Sequence, residues 1–269
     1  MQAALRDGGA RVRSERTRDL DHARELALTA ARAGDVVLVL GGDGTSGAVA
    51  GALRPVDGAV LGILPGGRGN DLCRALHVPL RPAAAATALL RGREHALDVG
   101  ELAGRTFLGV ASIGIDAEAA AIARTAPARL GRAAYGYAAL RALAAWTPVH
   151  FTLEPEGAPV RTFRGHFVAV ANGQGFGGGM RIAPDARLDD GLLDVVQADA
   201  MPKLRFLRLL PTVFWGGHVG RPEVRVTRTP TVRVTSDRRI PVFADGEPVG
   251  HTPVSVAVVP RALRVLVPA

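Results

Sequence analysis

The apolar run Val36-Val37-Leu38-Val39-Leu40 passes directly into Gly41-Gly42-Asp43-Gly44-Thr45. No other stretch restricts the fold as much. An unbroken apolar run of this length reads as a buried strand. The glycines after it let the backbone bend with its amide N–H groups bare, so a bulky anion such as phosphate can approach closely. Asp43 sets a carboxylate beside that position, which repels phosphate unless a divalent cation, water or a ribose hydroxyl lies between. A nucleotide carrying magnesium satisfies both features. The same residues also read as a plain strand-to-helix connection. Gly42, Gly44 and Gly47 have the G-x-G-x-x-G spacing of a dinucleotide site, but the next strand, Ala59 to Leu64, ends in Pro65-Gly66-Gly67 where such a site needs an acid.

Around this junction the chain alternates. A helical pattern from Asp19 to Ala33 precedes the strand, and helix-compatible Ala48 to Leu53 follows the loop. The second strand leads through Pro65-Gly66-Gly67-Arg68-Gly69-Asn70-Asp71 into a helix from Leu72, and Ala83 to Leu90 reads as another. Such alternation predicts a parallel α/β domain with ligands at the carboxyl ends of its strands, where both glycine loops lie.

After Leu97 the texture changes to short β-like runs: Thr106 to Ser112, Val149 to Leu153, Val160 to Ala171, Leu192 to Ala198, Val224 to Val226, Thr231 to Val234, Val254 to Val259 and Leu263 to Val267. Helical stretches at Ala117 to Ala145 and Lys203 to Phe214 interrupt them. The expectation is an α/β domain over residues 1–97 and an antiparallel β-sandwich domain over residues 98–269, closely joined around a cleft, with the last strand able to return to the first domain.

Composition removes several classes of function. Hydrophobic residues make up 48% of the 269, enough for a real core. No stretch reaches membrane-spanning length without a charge or a proline. The lone Cys73 excludes an internal disulfide, which makes the cytoplasm the default. A net charge of +8, carried almost wholly by arginine because Lys203 is the single lysine, favours an anionic partner. Aromatic residues, at 4%, supply no base-stacking platform, so nucleic acid is not the expected partner. Zinc spacings, a G-x-S-x-G elbow and the P-loop G-x-x-x-x-G-K-[ST] are absent, leaving phosphate charge to amides, metal and arginine.

Four further groups carry candidate chemistry. Asn70 and Asp71 suit either a cap on the following helix or direct ligand contact. Leu188-Asp189-Asp190-Gly191-Leu192-Leu193-Asp194 gathers carboxylates around a glycine, which reads as a solvated turn or as a hard-cation site. Asp245-Gly246-Glu247 is a hairpin signal that also carries acids on a rigid turn. Glu247 is placed to accept a proton from a substrate hydroxyl, and Asp245 to support it or to link to metal. Finally, Lys203 to Leu210 sets Leu204, Leu207 and Leu210 on one helical face and bases on another, as in a membrane-surface element or a core-packing helix.

Taken in order, GGDGT (Gly41 to Thr45), LPGGRGND (Leu64 to Asp71), SIGIDAE (Ser112 to Glu118), ANGQGFGGGMRIAPDARLDDGLLDV (Ala171 to Val195) and DGEP (Asp245 to Pro248) resemble the lipid kinase family of bacterial diacylglycerol kinases, whose catalytic domain is shared with sphingosine and ceramide kinases. The resemblance implies a Rossmann-like α/β nucleotide domain facing a β-sandwich lipid domain, with ATP in the cleft and a lipid hydroxyl as acceptor. It implies ATP-phosphate contacts at Gly41, Gly42, Asp43, Gly44 and Thr45, supported by Gly66, Gly67, Arg68, Asn70 and Asp71. It implies Mg2+ at Asp190 with main-chain oxygens of Arg187 and Leu192, and Glu247 as proton acceptor beside Asp245. The partner implied is a lipid substrate at an anionic membrane surface, the inner face for a cytoplasmic enzyme. A homodimer is compatible with the sequence, which is silent on oligomeric state.

Two departures stand out. The family's opening strand and Asn-Pro-x-Ser-Gly loop have no counterpart before Gly8-Gly9, although Thr17 matches a nucleotide-contacting threonine. Arg68 stands where relatives carry threonine, giving either a full charge for phosphate or an outward-pointing side chain. NAD kinases share the GGDGT loop, and a non-catalytic nucleotide- or lipid-binding protein is the reading from another class.

Overall fold

Two strands carry the glycine loops. β1 (Val37–Gly41) and β2 (Val60–Pro65) are parallel neighbours with Gly41 opposite Pro65. The computed structural model describes residues 1–125, Pro127 and 133–269. In the first part, α1 (Gln2–Asp7), α2 (Leu20–Arg32), α3 (Asp43–Leu53), α4 (Asp71–Ala75) and α5 (Pro82–Leu90) accompany the two strands. Asp19 starts α2 by accepting the His22 N–H at 2.8 Å, and Ala23, Ala27 and Ala31 recur at four-residue spacing as its buried face.

β3 (Arg93–Leu102) then runs through the position where the sequence changes texture, so Leu97 and Asp98 are consecutive residues of one strand. β4 (Arg105–Phe107), β5 (Val110–Gly114), β6 (Val149–Pro155), β7 (Arg161–Ala171), β8 (Leu193–Asp199), β9 (Val224–Thr229), β10 (Thr231–Ser236), β11 (Pro241–Ala244) and β12 (Glu247–His251) pair antiparallel with their neighbours. The helical stretch expected over Ala117 to Ala145 comprises α6 (Ile115–Thr125) and α7 (Ala133–Ala145). The part of that expectation between them lies, apart from Pro127, outside the described residues. α8 (Lys203–Leu209) continues into a 3-10 turn at Leu210–Trp215.

The last strand, β13 (Val254–Val267), joins the two parts. Its start pairs with β10 in the antiparallel region, its end pairs parallel with β2, and β3 runs antiparallel along most of it. Val256 belongs to the core of the second part, while Leu263, Val265 and Val267 enter the core of the first. Each such buried side chain stabilises by about 2 kcal/mol. Detaching this strand therefore weakens both cores. A bulge between Val259 and Leu263 marks the crossing point, and the Arg261 N–H there donates to Asp98 Oδ1 at 2.7 Å.

Candidate active site

Adjacent parallel strands deliver the two glycine loops side by side. The Gly66 N–H donates to the Gly41 carbonyl at 2.9 Å, and a Cβ on Gly67 would lie 2.4 Å from the Cα of Gly42. Only glycine allows that approach. Asn70 adopts a left-handed backbone (φ 54°) and folds its side chain back, accepting the Gly67 N–H at 2.8 Å and donating to the Gly67 carbonyl at 2.9 Å. The second loop is thus shaped from within.

The capping expected of Asn70 or Asp71 falls to another residue. Asp43 Oδ1 takes the Leu72 N–H in the first turn of α4 at 3.0 Å, because the loops are close enough for the carboxylate of one to cap the helix of the other. Asp71 instead accepts the Gly178 N–H at 2.7 Å, from a glycine-rich tip closed by the Phe176–Met180 bridge. The bare backbone at Gly177, Gly178 and Gly179 is therefore approached by this chain's own acid.

From the other side comes the hairpin between β11 and β12. Asp245 (φ 48°) and Gly246 (φ 82°) form a two-residue turn with both central residues left-handed, the type that matches strand twist. The Asp245 carboxylate accepts the Leu108 and Gly109 N–H groups at 2.8 Å each and that of Val110 at 3.2 Å. It anchors the turn. A Cβ on Gly44 would lie 3.6 Å from Glu247 Oε1, and one on Gly47 would lie 3.1 Å from Asp245 Oδ2. The Asp-Gly-Glu turn consequently sits over the first turns of α3, with the Glu247 carboxylate above the GGDGT loop.

Acids dominate the junction. Burial raises the Asp71 carboxyl above its usual range, the Gly178 amide opposes that, and the Asp43 charge adds to it. Burial pushes Asp245 up to about 6 against the pull of its amides, with Asp43 again adding. Arg74 stands 3.9 Å from Asp71. Arg68 is exposed at the tip of the second loop and forms no ion pair among the described residues. Thr17 lies in the exposed approach to α2, and no hydrogen bond among the described residues ties it to either loop. The buried Cys73 thiol is pushed up to about 11 by burial, which makes it a core group rather than a nucleophile.

Asp43, Asp71 and Asp245 line a cavity of about 340 Å³ whose walls are mostly apolar, including Ile115, Phe167, Phe176 and Phe206. A second cavity, of about 320 Å³, lies among β6, β8 and β10 and holds none of the site residues. Sequence reasoning missed Asp116 in the wall of the first. Its Oδ1 accepts the Ala117 N–H at 2.9 Å, its Oδ2 is buried without a hydrogen bond, and burial pushes the carboxyl up to about 7. The signal was an acid directly after an apolar strand, inside a stretch read only for its likeness to relatives. His218 also lines the cavity, bonded to the Ile182 carbonyl at 2.8 Å.

Arg187, Asp190 and Leu192 do not line this cavity. Asp190 Oδ1 takes the Leu192 N–H at 3.1 Å, Asp190 Oδ2 pairs with Arg228, and Arg187 Nε faces Asp189 at 3.3 Å. Both side-chain oxygens of Asp190 are thus engaged by groups of this chain. Among the described residues no group of three or more acids, histidines or cysteines is set to hold a metal ion.

Comparison with known proteins agrees with this architecture. Residues 1–102 match the diacylglycerol kinase catalytic domain, and residues 109–267 match the YegS C-terminal NAD kinase beta sandwich-like domain. A diacylglycerol kinase of Mycobacterium tuberculosis is 36% identical over 251 residues, covering 90% of this chain and 80% of its own. A Pseudomonas aeruginosa protein named "Probable lipid kinase YegS-like" is 37% identical over 273 residues, covering 99% and 88%. The crystal structure of a diacylglycerol kinase from Bacillus anthracis superposes with a TM-score of 0.72 at 21% identity over 93% of this chain and 83% of that one, a likeness of fold. With both parts of the chain matched and its relatives covered over most of their length, the protein belongs to the diacylglycerol kinase and YegS-like family of lipid kinases.

Proposed function

We propose that the protein transfers the terminal phosphoryl group of ATP to a lipid hydroxyl at the junction of its two parts, with diacylglycerol as acceptor and phosphatidic acid as product. The observation that carries this reading is the Glu247 carboxylate, held by a rigid hairpin over the GGDGT loop, while Asp245 and Gly246 of the same turn line a largely apolar cavity.

In this reading the amides of Gly41 to Thr45 and of the loop from Gly66 to Asp71 receive the phosphates, with Arg68 adding a full charge. Glu247 accepts the proton of the acceptor hydroxyl as its oxygen bonds to the γ-phosphorus and the bond to the ADP oxygen breaks. Asp245 is a positioning residue, because its oxygens are committed to three backbone amides. Asp43 and Asp71, whose mutual repulsion is relieved by positive charge, would hold magnesium with the nucleotide. That ion supplies neutralisation of phosphate charge.

Acyl chains suit the apolar walls, and Asp116, neutral up to about pH 7, offers a hydrogen-bond donor to an uncharged ester. Access from an anionic membrane surface is supported by the exposure of Leu204 (59%), Phe214 (53%) and Trp215 (64%) on α8 and the adjoining 3-10 turn, beside Lys203 and Arg208. Phe206 and Leu209 of the same helix line the cavity. No helix among the described residues is long and apolar enough to cross a membrane.

The test is phosphate transfer from ATP to diacylglycerol in mixed micelles. Wild-type protein is expected to label the lipid; Glu247→Gln is expected to lose most of the labelling at the wild-type melting temperature, and Asp43→Ala to lose it while remaining folded, with the small drop in melting temperature expected from losing its cap on α4. Nucleotide binding without transfer to any lipid alcohol overturns the kinase reading. Labelling of NAD in place of lipid overturns the substrate class.

A further inference from the structure

The acidic run from Asp189 to Asp194 is the natural place in this chain for a hard cation, yet its charges are answered from within. Asp189 faces Arg187 Nε at 3.3 Å and His95 Nε2 at 3.3 Å. Asp190 and Asp194 share one arginine. Arg228 on β9 lies directly opposite Asp194 on β8 in the strand register. Its Nη2 pairs with Asp190 Oδ2 in the turn that precedes β8, and its Nε stands 3.6 Å from Asp194 Oδ2, a buried oxygen that has the ion pair but no hydrogen bond. The other Asp190 oxygen is taken by the Leu192 N–H at 3.1 Å.

We infer that in this chain the Arg228 guanidinium takes the place of a divalent cation at the Asp190 turn, so that the second part of the molecule is held without metal. A planar guanidinium can bridge two carboxylates with separate N–H groups. A divalent ion entering here would have to displace that group and sit beside its charge. The turn is worth fixing, because the Gly191 N–H donates to Asp98 Oδ2 at 2.6 Å while Asp98 Oδ1 holds the β13 bulge through Arg261. Arg228 thereby secures the point where β3 and β13 cross between the cores. This inference does not depend on the kinase reading.

Thermal unfolding of the whole chain without nucleotide, in EDTA and in excess MgCl2, tests it. The melting-temperature change caused by Mg2+ is expected to be the same in wild type and Asp190→Asn. Arg228→Gln is expected to melt lower in EDTA and to gain several degrees from Mg2+, a gain lost in the Arg228→Gln, Asp190→Asn double variant. A wild-type Mg2+ response that disappears in Asp190→Asn overturns the inference, as does an Arg228→Gln protein with no added response. Should Arg228→Gln not fold, the comparison of wild type with Asp190→Asn decides alone.

Discussion

Gly67→Ala tests whether the two glycine loops act as one site. The added Cβ would lie 2.4 Å from Gly42 Cα, against the 3.4 Å at which ordinary contact begins, and the obstacle is backbone rather than a flexible side chain. The loops must separate by about 1 Å. Overpacking of this kind costs about 1–3 kcal/mol, and a chain of this size loses about 2–4 °C of melting temperature for each kcal/mol. The larger effect falls on function, since a misplacement of about 1 Å in a positioned site costs on the order of 100-fold in rate. Steady-state phosphorylation of diacylglycerol should show kcat/KM for ATP reduced by about that factor, with KM for lipid nearly unchanged. A Gly67→Ala enzyme with wild-type kcat/KM for ATP would refute the idea that the loops share one triphosphate.

Other perturbations probe separate parts of the account. Glu247→Gln is expected to lower kcat by about 10²–10⁴-fold with melting unchanged, and a wild-type kcat would remove Glu247 from the chemistry. Asp245→Asn sets an amide NH2 against backbone donors where a carboxylate accepted three of them, so it should destabilise by about 2 kcal/mol in denaturant titration; unchanged stability would contradict the anchoring role. Asp116 has its folded carboxyl raised from 3.8 to about 7 by burial, so its favourable contribution is complete below about pH 4 and disappears as pH rises through about 7. Between about pH 6 and pH 8 wild type should therefore lose on the order of 1 kcal/mol relative to Asp116→Asn, and parallel stability profiles would overturn that assignment. Leu204→Glu on α8 should weaken binding to anionic vesicles and leave turnover of a short-chain, micelle-free lipid intact; unaltered vesicle binding would remove α8 from the membrane contact.

Much of this arrangement is legible in the sequence where one local rule decides. The strands carrying the loops and the alanine face of α2 follow from apolar pattern alone. Helix α3 begins at Asp43 rather than at Ala48, because Gly44 and Gly47, poor helix formers, are helical here where the Asp-Gly-Glu turn packs on them. Strand β3 is hidden by its ends: Arg93 and Glu94 are exposed, whereas Leu97 to Gly100 are buried. Val254 to Val259 and Leu263 to Val267 read as two strands since Pro260 and Arg261 interrupt them, yet a bulge carries one strand through. On α8 Phe206 is buried and Leu209 packs against the core beside it, whereas Leu204 and Leu207 face outward, not the leucine face the spacing offered. Arg228 depends on partners far apart in sequence, Asp190 and Asp194, which no periodicity encodes, and the perturbation of Asp116 comes from burial, which its neighbours in sequence do not reveal.

A crystal structure of the protein with magnesium and a non-hydrolysable ATP analogue examines the central claim most directly. The expected result is a γ-phosphate lying over the joined Gly42 and Gly67 backbones, within hydrogen-bond reach of the GGDGT amides and facing Glu247. A nucleotide bound away from the paired loops, or one whose γ-phosphate is separated from Glu247 by the body of α3, would contradict it.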